Sequence, residues 1–207
     1  MVAGSAPAYD ADAALQKRTE RRQGALTRLV NQYSQVRVFD EGSRIKKIYG
    51  PAFGFGVSAE DTARQFRDNY SAVFGVSPSS LDPSAPMEGV TPTIPLMIDR
   101  QTGQYKFTLV YYTQKINNIP VYRSDLRSLV RNEPGFPLVS ATSSLRDLGE
   151  FALPAAIAEP RAADAVAAAQ AIFPVLKKFS KPKRVIWAGT EEIESEPVLA
   201  IQFIGET

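Results

Sequence analysis

Asp99, Asp125 and Glu133 are the carboxylates from which acid–base chemistry could start, and no two of them form a recognisable pair in the sequence. Catalysis by carboxylates needs groups whose surroundings push their ionisations apart, whereas charged residues beside turns are usually solvated. Composition makes a stronger statement by exclusion. The 207 residues include no His and no Cys. A Ser-His-Asp or Cys-His nucleophile cannot be assembled from this chain, nor can a zinc site with the usual His or Cys ligands. Oxygen-only Ca²⁺ or Mg²⁺ binding would call for a loop like D-x-[DN]-x-[DN]-G, and none is present. The sequence thus supplies no catalytic residue, no metal ligand and no cofactor-binding residue. The glycine-rich piece Tyr49-Gly-Pro-Ala-Phe-Gly-Phe-Gly56 superficially suggests a phosphate loop. It lacks the strand–GxxxxGK–helix context and a lysine, so a bend leading into a helix is the better reading.

The charge balance points away from polyanions. Lys and Arg number 24 against 22 Asp and Glu, a net charge of +2. Two basic clusters, Lys17–Arg22 and Lys177–Arg184, hold a single aromatic, Phe179, between them and match no known binding motif, so no nucleic-acid partner is expected. No run approaches the roughly eighteen apolar residues of a membrane span. The start, MVAGSAPAYDADAALQ, has neither the basic nor the apolar region of a signal peptide. Absence of Cys suits a reducing cytosol and an exported bacterial protein equally.

Residues 1–9 are small and polar and read as disordered. Asp10 to about Tyr33 suits a helix with Leu15, Leu26, Leu29 and Val30 on its apolar side, weakened at Gly24. Its basic cluster reads as a solvated face. Residues 36–49 predict two short strands about a turn at Asp40-Glu41-Gly42. Ser58-x-x-Asp61 resembles a capping box, and Ala63, Phe66, Tyr70, Val73 and Phe74 follow on one helical face before Gly75 stops the helix. A Pro/Ser-rich loop follows. Tyr105, Phe107, Leu109 and Tyr111 then alternate with Lys106 and Thr108 as a half-buried strand. Asn117-Asn118 supplies a turn, because Asn tolerates positive φ. The returning strand, Val121 to Arg131, sets Tyr122, Ser124, Leu126, Ser128 and Val130 on one face and Arg123, Asp125, Arg127 and Arg131 on a wet one. Leu138–Leu145 is a third strand after the Pro134–Pro137 turn. An Ala-rich helix from Pro160 to Phe173, a basic linker, and strands Val185–Ala188 and Val198–Ile204 about the acidic turn Glu191–Glu196 complete the chain. Ending at Thr207 just after a strand, the sequence suggests that more chain follows.

The segment YKFTLVYYTQKINNIPVYRSDLRSLVRNEPG, starting at Tyr105, resembles the core of the fungalysin/thermolysin propeptide domain (FTP domain). That family carries an aromatic-rich strand, a Gln, a short Asn-Gly turn and an (Ile/Val)-Pro-Val-(Tyr/Phe) opening to the next strand. Gln114, Asn117, Ile119, Pro120, Val121 and Tyr122 occupy those positions here. NYSAVFGV, ending the helix before them, is similar to the family's helix end. Residues 158–207 resemble a PepSY-like unit, an Ala-rich helix followed by a β-hairpin. Two departures stand out: Asn118 replaces the usual Gly, and Arg123-Ser124 replace a Gly-Ser or Gly-Ala. Independently of family, Pro120 lacks a donor and belongs at a strand start or edge, and Ile119 and Val121 are stiff β-formers.

The expected fold is α+β: antiparallel sheets with helices packed on one face, in two small units plus an N-terminal helix. The divisions are 1–42 (disordered segment, helix and strand), 43–150 (FTP-like) and 151–207 (PepSY-like, truncated at its C-terminus). The resemblance implies the non-catalytic propeptide region of a secreted zinc metallopeptidase precursor, helping the catalytic domain to fold and holding it inactive. That catalytic domain would be the partner, in cis or in trans, and would carry the zinc-binding histidines beyond Thr207. A stand-alone exported binding or inhibitory module is the alternative. Either implies a secreted or extracytoplasmic location and no cofactor. The motif residues, read as chiefly structural and as a candidate partner surface, are Gln114, Asn117, Asn118, Ile119, Pro120, Val121, Tyr122 and Arg123, with edge strands as docking surfaces.

Overall fold

A computed structural model describes residues 11–42, 44–87, 89–153, 162–190 and 193–207. The first segment forms helix α1 (Ala11–Gln32), which runs unbroken through Gly24. Ala25 and Leu29 are fully buried on one side, whereas Leu15 and Val30 face solvent. The buried stripe is thus narrower than the sequence suggests, and Ala25 is its closest-packing member. Lys17 and Arg21 are exposed, as a solvated basic face requires, while Arg18 reaches Glu150 at 3.8 Å.

Strands β1 (Arg37–Glu41) and β2 (Arg44–Tyr49) form the expected hairpin, with Gly42 at φ 61°. The following glycine-rich piece lies against the Pro134–Pro137 turn. Phe53 N–H donates to Leu138 O, Leu138 N–H to Gly54 O and Gly56 N–H to Gly135 O, each at 3.0 Å. A Cβ on Gly56 would stand 2.7 Å from both Asp61 Oδ2 and Thr62 Oγ1, so only glycine allows this approach. The bend delivers the chain to helix α2 (Ala59–Tyr70). Asp61 N–H donates to Ser58 Oγ at 3.1 Å, and the Asp61 carboxylate accepts from Val57 N–H at 3.1 Å rather than from the cap residue itself. The reciprocal cap therefore exists, with its second bond displaced by one residue to Val57. A 3₁₀ turn, Ser71–Phe74, continues the helix until Gly75 adopts φ 80°. Phe66 is the hub of this layer, with ring centroids 5.7 Å from Phe53 and Tyr70 and 6.4 Å from Phe74.

Strands β3 (Leu81–Asp82), β4 (Thr93–Ile98), β5 (Tyr105–Ile116), β6 (Ile119–Arg131) and β7 (Leu138–Ser143) build the main sheet with β1 and β2. Its order is β1-β2-β7-β6-β5-β3, with β4 sharing the edge of β5. Strand β4 escapes the sequence reading because Pro95 sits inside it and Met97 has φ 58°, both foreign to a regular strand interior. The sequence also inverts the faces of β5. Thr108, Val110 and Tyr112 are buried beneath the helices, while Phe107, Leu109 and Tyr111 lie half-buried on the opposite face. Aromatic bulk does not decide which face a helix covers; close helix–sheet approach favours the smaller side chains. The partner strand follows the expected pattern at Ser124, Leu126, Ser128 and Val130, all buried.

The remaining elements are α3 (Ala162–Ile172), β8 (Lys178–Phe179), β9 (Lys183–Gly189), β10 (Glu194–Gln202) and β11 (Gly205–Glu206). The supposed basic linker is therefore partly strand, since β8 pairs with β11 and β9 begins at Lys183. Of the acidic turn, residues 191 and 192 fall outside the described residues, and Glu194–Glu196 belong to β10. The expected disorder of 1–9 and the helix start at Pro160 also fall outside them. Strand β9 pairs with β10 antiparallel and with β6 in parallel, Val121 opposite Ile186. A second hydrophobic cluster of Val121, Leu148, Ile186 and Ala188 forms at this junction, apart from the larger one beneath α1 and α2. The architecture is α+β, dominated by antiparallel strands. Among the described residues no helix is long and apolar enough to cross a membrane.

Candidate binding site around the 114–123 hairpin

The β5–β6 hairpin brings the motif residues to one end of the sheet. Asn117 and Asn118 stand at φ 47° and 66°, the left-handed pair that a two-residue hairpin turn demands. Asn at the second position meets the geometry for which glycine is the usual choice. Pro120 pairs with Lys115 immediately after the turn, where its missing donor costs little.

Gln114 is the best-anchored polar residue of the hairpin, 3% exposed. Its Nε2 donates to Arg146 O at 2.9 Å, and its Oε1 accepts from Arg146 N–H at 3.0 Å and from Ser124 Oγ–H. The side-chain amide thus imitates a peptide group and pairs with the backbone of residue 146 as a further strand would. Burying an amide without partners costs about 1–3 kcal/mol per unsatisfied group, and here donor and acceptor are both occupied. Sequence alone marks Gln114 as a motif residue but not as a clamp, because its partner lies 32 positions away.

Between Thr113 and Lys115 the register shifts, and on the facing strand Arg123 takes φ 50°. A non-glycine residue there is strained, and the bulge re-aims its neighbours. Tyr122 leaves the face shared by Ser124 and Leu126, contrary to a simple alternation, and its ring packs 5.2 Å from that of Trp187. Val121 turns inward to the second cluster. The Arg123 guanidinium lies 5.3 Å from the Tyr122 ring centroid and is otherwise exposed. The wet-face position expected for this side chain is met, with a cation–π contact added.

Beside the bulge is an open groove of about 830 Å³, whose walls include Lys115, Tyr122, Arg123, Lys181, Lys183 and Phe203. Asp82 pairs with Lys115. The result is a basic groove with aromatic walls, suited to holding an acidic or aromatic segment.

The three carboxylates considered for catalysis are dispersed into local contacts. Asp99 accepts from Gln101 N–H at 2.9 Å and faces Lys106 at 3.5 Å, and chiefly the Gln101 bond holds its ionisation below the usual range. Glu133 pairs with Arg131 at 3.1 Å. Asp125, expected on the wet face, is 3% exposed. Its backbone N–H donates to Ser144 Oγ at 3.0 Å, and its carboxylate takes Arg127 Nε at 2.6 Å, so pairing makes the burial tolerable. Among the described residues no group of three or more Asp or Glu converges as a metal site would require. No family model, curated protein or solved structure matches this chain.

Proposed function

We propose that this chain is a non-catalytic, protein-binding region of the metallopeptidase-propeptide type, which assists and restrains a zinc peptidase catalytic domain. The observation that carries the reading is Gln114. The glutamine through which the hairpin resembles propeptide domains closes β5 onto residue 146, at the start of the connection to the C-terminal elements. The motif glutamine therefore ties β5 to the short segment between Leu145 of one hydrophobic cluster and Leu148 of the other. A body without His or Cys that offers cationic and aromatic surface is built to bind rather than react. Assistance in folding would follow from mass action, since a partner that binds only the native peptidase shifts its folding equilibrium.

The test is refolding and inhibition in trans. A thermolysin-type catalytic domain, denatured and diluted with this chain in stoichiometric excess, should regain more structure than without it. Its activity should stay low until the chain is proteolysed. If the chain changes neither refolding yield nor activity across several such domains, the reading is wrong. Inhibition without any effect on refolding would favour the stand-alone inhibitory module.

A further inference from the structure

The sheet has two long faces, and α1 and α2 cover only one. On the other, strand register lines up side chains that project together, because directly paired residues share a face. One row runs Ile94, Leu109, Leu129, Ser140, Tyr49 and Arg37. The next runs Tyr111, Arg127, Thr142, Lys47 and Phe39. Phe107 pairs with Arg131 beyond them. No helix or strand among the described residues packs on this surface. Phe39 is 55% exposed, Tyr105 43% and Ile98 53% along its borders.

Three features distinguish this face from an ordinary wet one. Its centre is aliphatic and aromatic on adjacent strands, so the apolar area is contiguous. Two of its cations lie over aromatic rings, Lys47 at 5.3 Å from the Tyr49 centroid and Arg127 at 5.9 Å from that of Tyr111. Finally, neither row contains a carboxylate; the nearest, Asp125 and Glu133, are paired with Arg127 and Arg131. Aromatics and arginine with few acids are the composition of protein interface centres. The edges of the sheet are poorer candidates. Strand β4 carries Pro95 and left-handed Met97, β1 is bulged between Phe39 and Asp40, and β10 is irregular between Glu194 and Val198. Such devices discourage strand addition.

We infer that the uncovered face of the sheet is a docking surface for an acidic, apolar-bearing protein surface, with Leu109 and Leu129 at its centre and Arg37 and Lys47 matching the partner's carboxylates. The inference rests on the propeptide-type reading, in which that partner is the peptidase catalytic domain. It adds the surface and the sign of its charge.

The experiment measures the affinity of a thermolysin-type catalytic domain of acidic surface for four forms of the chain. These are the wild type, Leu129→Asp, the double variant Arg37→Glu/Lys47→Glu, and a control, Lys17→Glu/Arg21→Glu, which makes the same charge change on exposed α1. Circular dichroism confirms that each is folded. Both face variants should bind at least about tenfold more weakly, and the control within about threefold of wild type, since opposed charges and a central carboxylate act at contact range. Wild-type binding with unaffected face variants, or an equal loss in the control, overturns the docking surface while leaving the propeptide reading intact. Failure of the wild type to bind any such domain overturns both. Two further results overturn the chosen partner: a dimer of the chain alone that Leu129→Asp dissociates, or stronger retention on phosphatidylserine vesicles than on the peptidase.

Discussion

The two faces of the main sheet are made from the same strands and bear comparable numbers of apolar residues, yet one is dry and the other is open. Beneath α2, β5 and β6 contribute Thr108, Val110, Tyr112, Ser124, Leu126, Ser128 and Val130. Facing outward they contribute Phe107, Leu109, Tyr111, Arg127 and Leu129. Tyr112 apart, the larger side chains are on the uncovered side. A helix laid on a sheet needs a shallow surface, so small β-branched and hydroxyl residues favour the covered face where their polar atoms can be paired. Thr108 Oγ–H donates to Asn132 Oδ1 at 2.8 Å, and the Thr62 hydroxyl of α2 donates to Phe136 O at 2.8 Å. The comparison teaches that alternation reports two faces and not which of them is covered.

Truncation on the two faces should separate them most sharply. Leu126 is fully buried, and Leu126→Ala should destabilise by about 2–5 kcal/mol, the transfer loss plus an unfilled cavity. Leu129→Ala, three residues along and on the half-buried face, should cost about 1 kcal/mol. Urea unfolding of both variants measures the difference; equal losses would mean that the outer face is as well packed as the inner. Gln114→Leu comes next, because it strands the Arg146 peptide group and the Ser124 hydroxyl in a buried place, at about 1–3 kcal/mol for each group left unpaired. Its unfolding should also lose cooperativity between far-UV signal and Trp187 fluorescence, since Trp187 belongs to the elements beyond the clamp.

Much of this arrangement was legible in the sequence, and the failures have identifiable causes. The α2 stripe, its cap and its stop could be read because they depend on residues within one or two turns of each other. The Asn117-Asn118 turn was legible for the same reason. The phase of β5 was not, because Tyr105, Phe107, Leu109 and Tyr111 make the stronger apolar alternation and the helix that decides burial comes from residues 59–70. Burial of Asp125 was hidden because its satisfaction depends on Ser144 and on a guanidinium two positions along its own strand. The motif hairpin was recognisable as a unit, whereas the roles within it, clamp for Gln114 and bulge for Arg123, depend on strand register. The outer face could be drawn only after six strands had been placed in order.

Smaller changes test how the cover is held. Ser58→Ala removes the acceptor for Asp61 N–H and should cost about 1 kcal/mol by thermal or urea unfolding. Ser128→Ala should go the other way. Its hydroxyl is buried on the covered face and makes no hydrogen bond, so a methyl group relieves a desolvated polar atom and should gain about 0.5–1 kcal/mol. A loss on Ser128→Ala would show that the hydroxyl contributes packing the methyl cannot replace.

The smallest expected effect concerns acid and the start of α2. Asp61 is held below the usual carboxylate range, first by the Val57 N–H it accepts from, then by Arg64 and Gln65. A carboxyl whose folded ionisation is depressed stabilises the fold fully above its unfolded value, about 4. That contribution disappears as pH falls through the lower folded value. Asp61→Asn keeps an acceptor for Val57 but loses the charge opposite Arg64, so it should be less stable than wild type at neutral pH. The gap should close as the pH is lowered below about 4, because wild type then carries an uncharged side chain too. Urea unfolding of both proteins from pH 7 to pH 2 measures it. A gap that persists unchanged at the acid end would assign the effect to hydrogen-bond geometry alone and remove ionisation from what secures the covering helix.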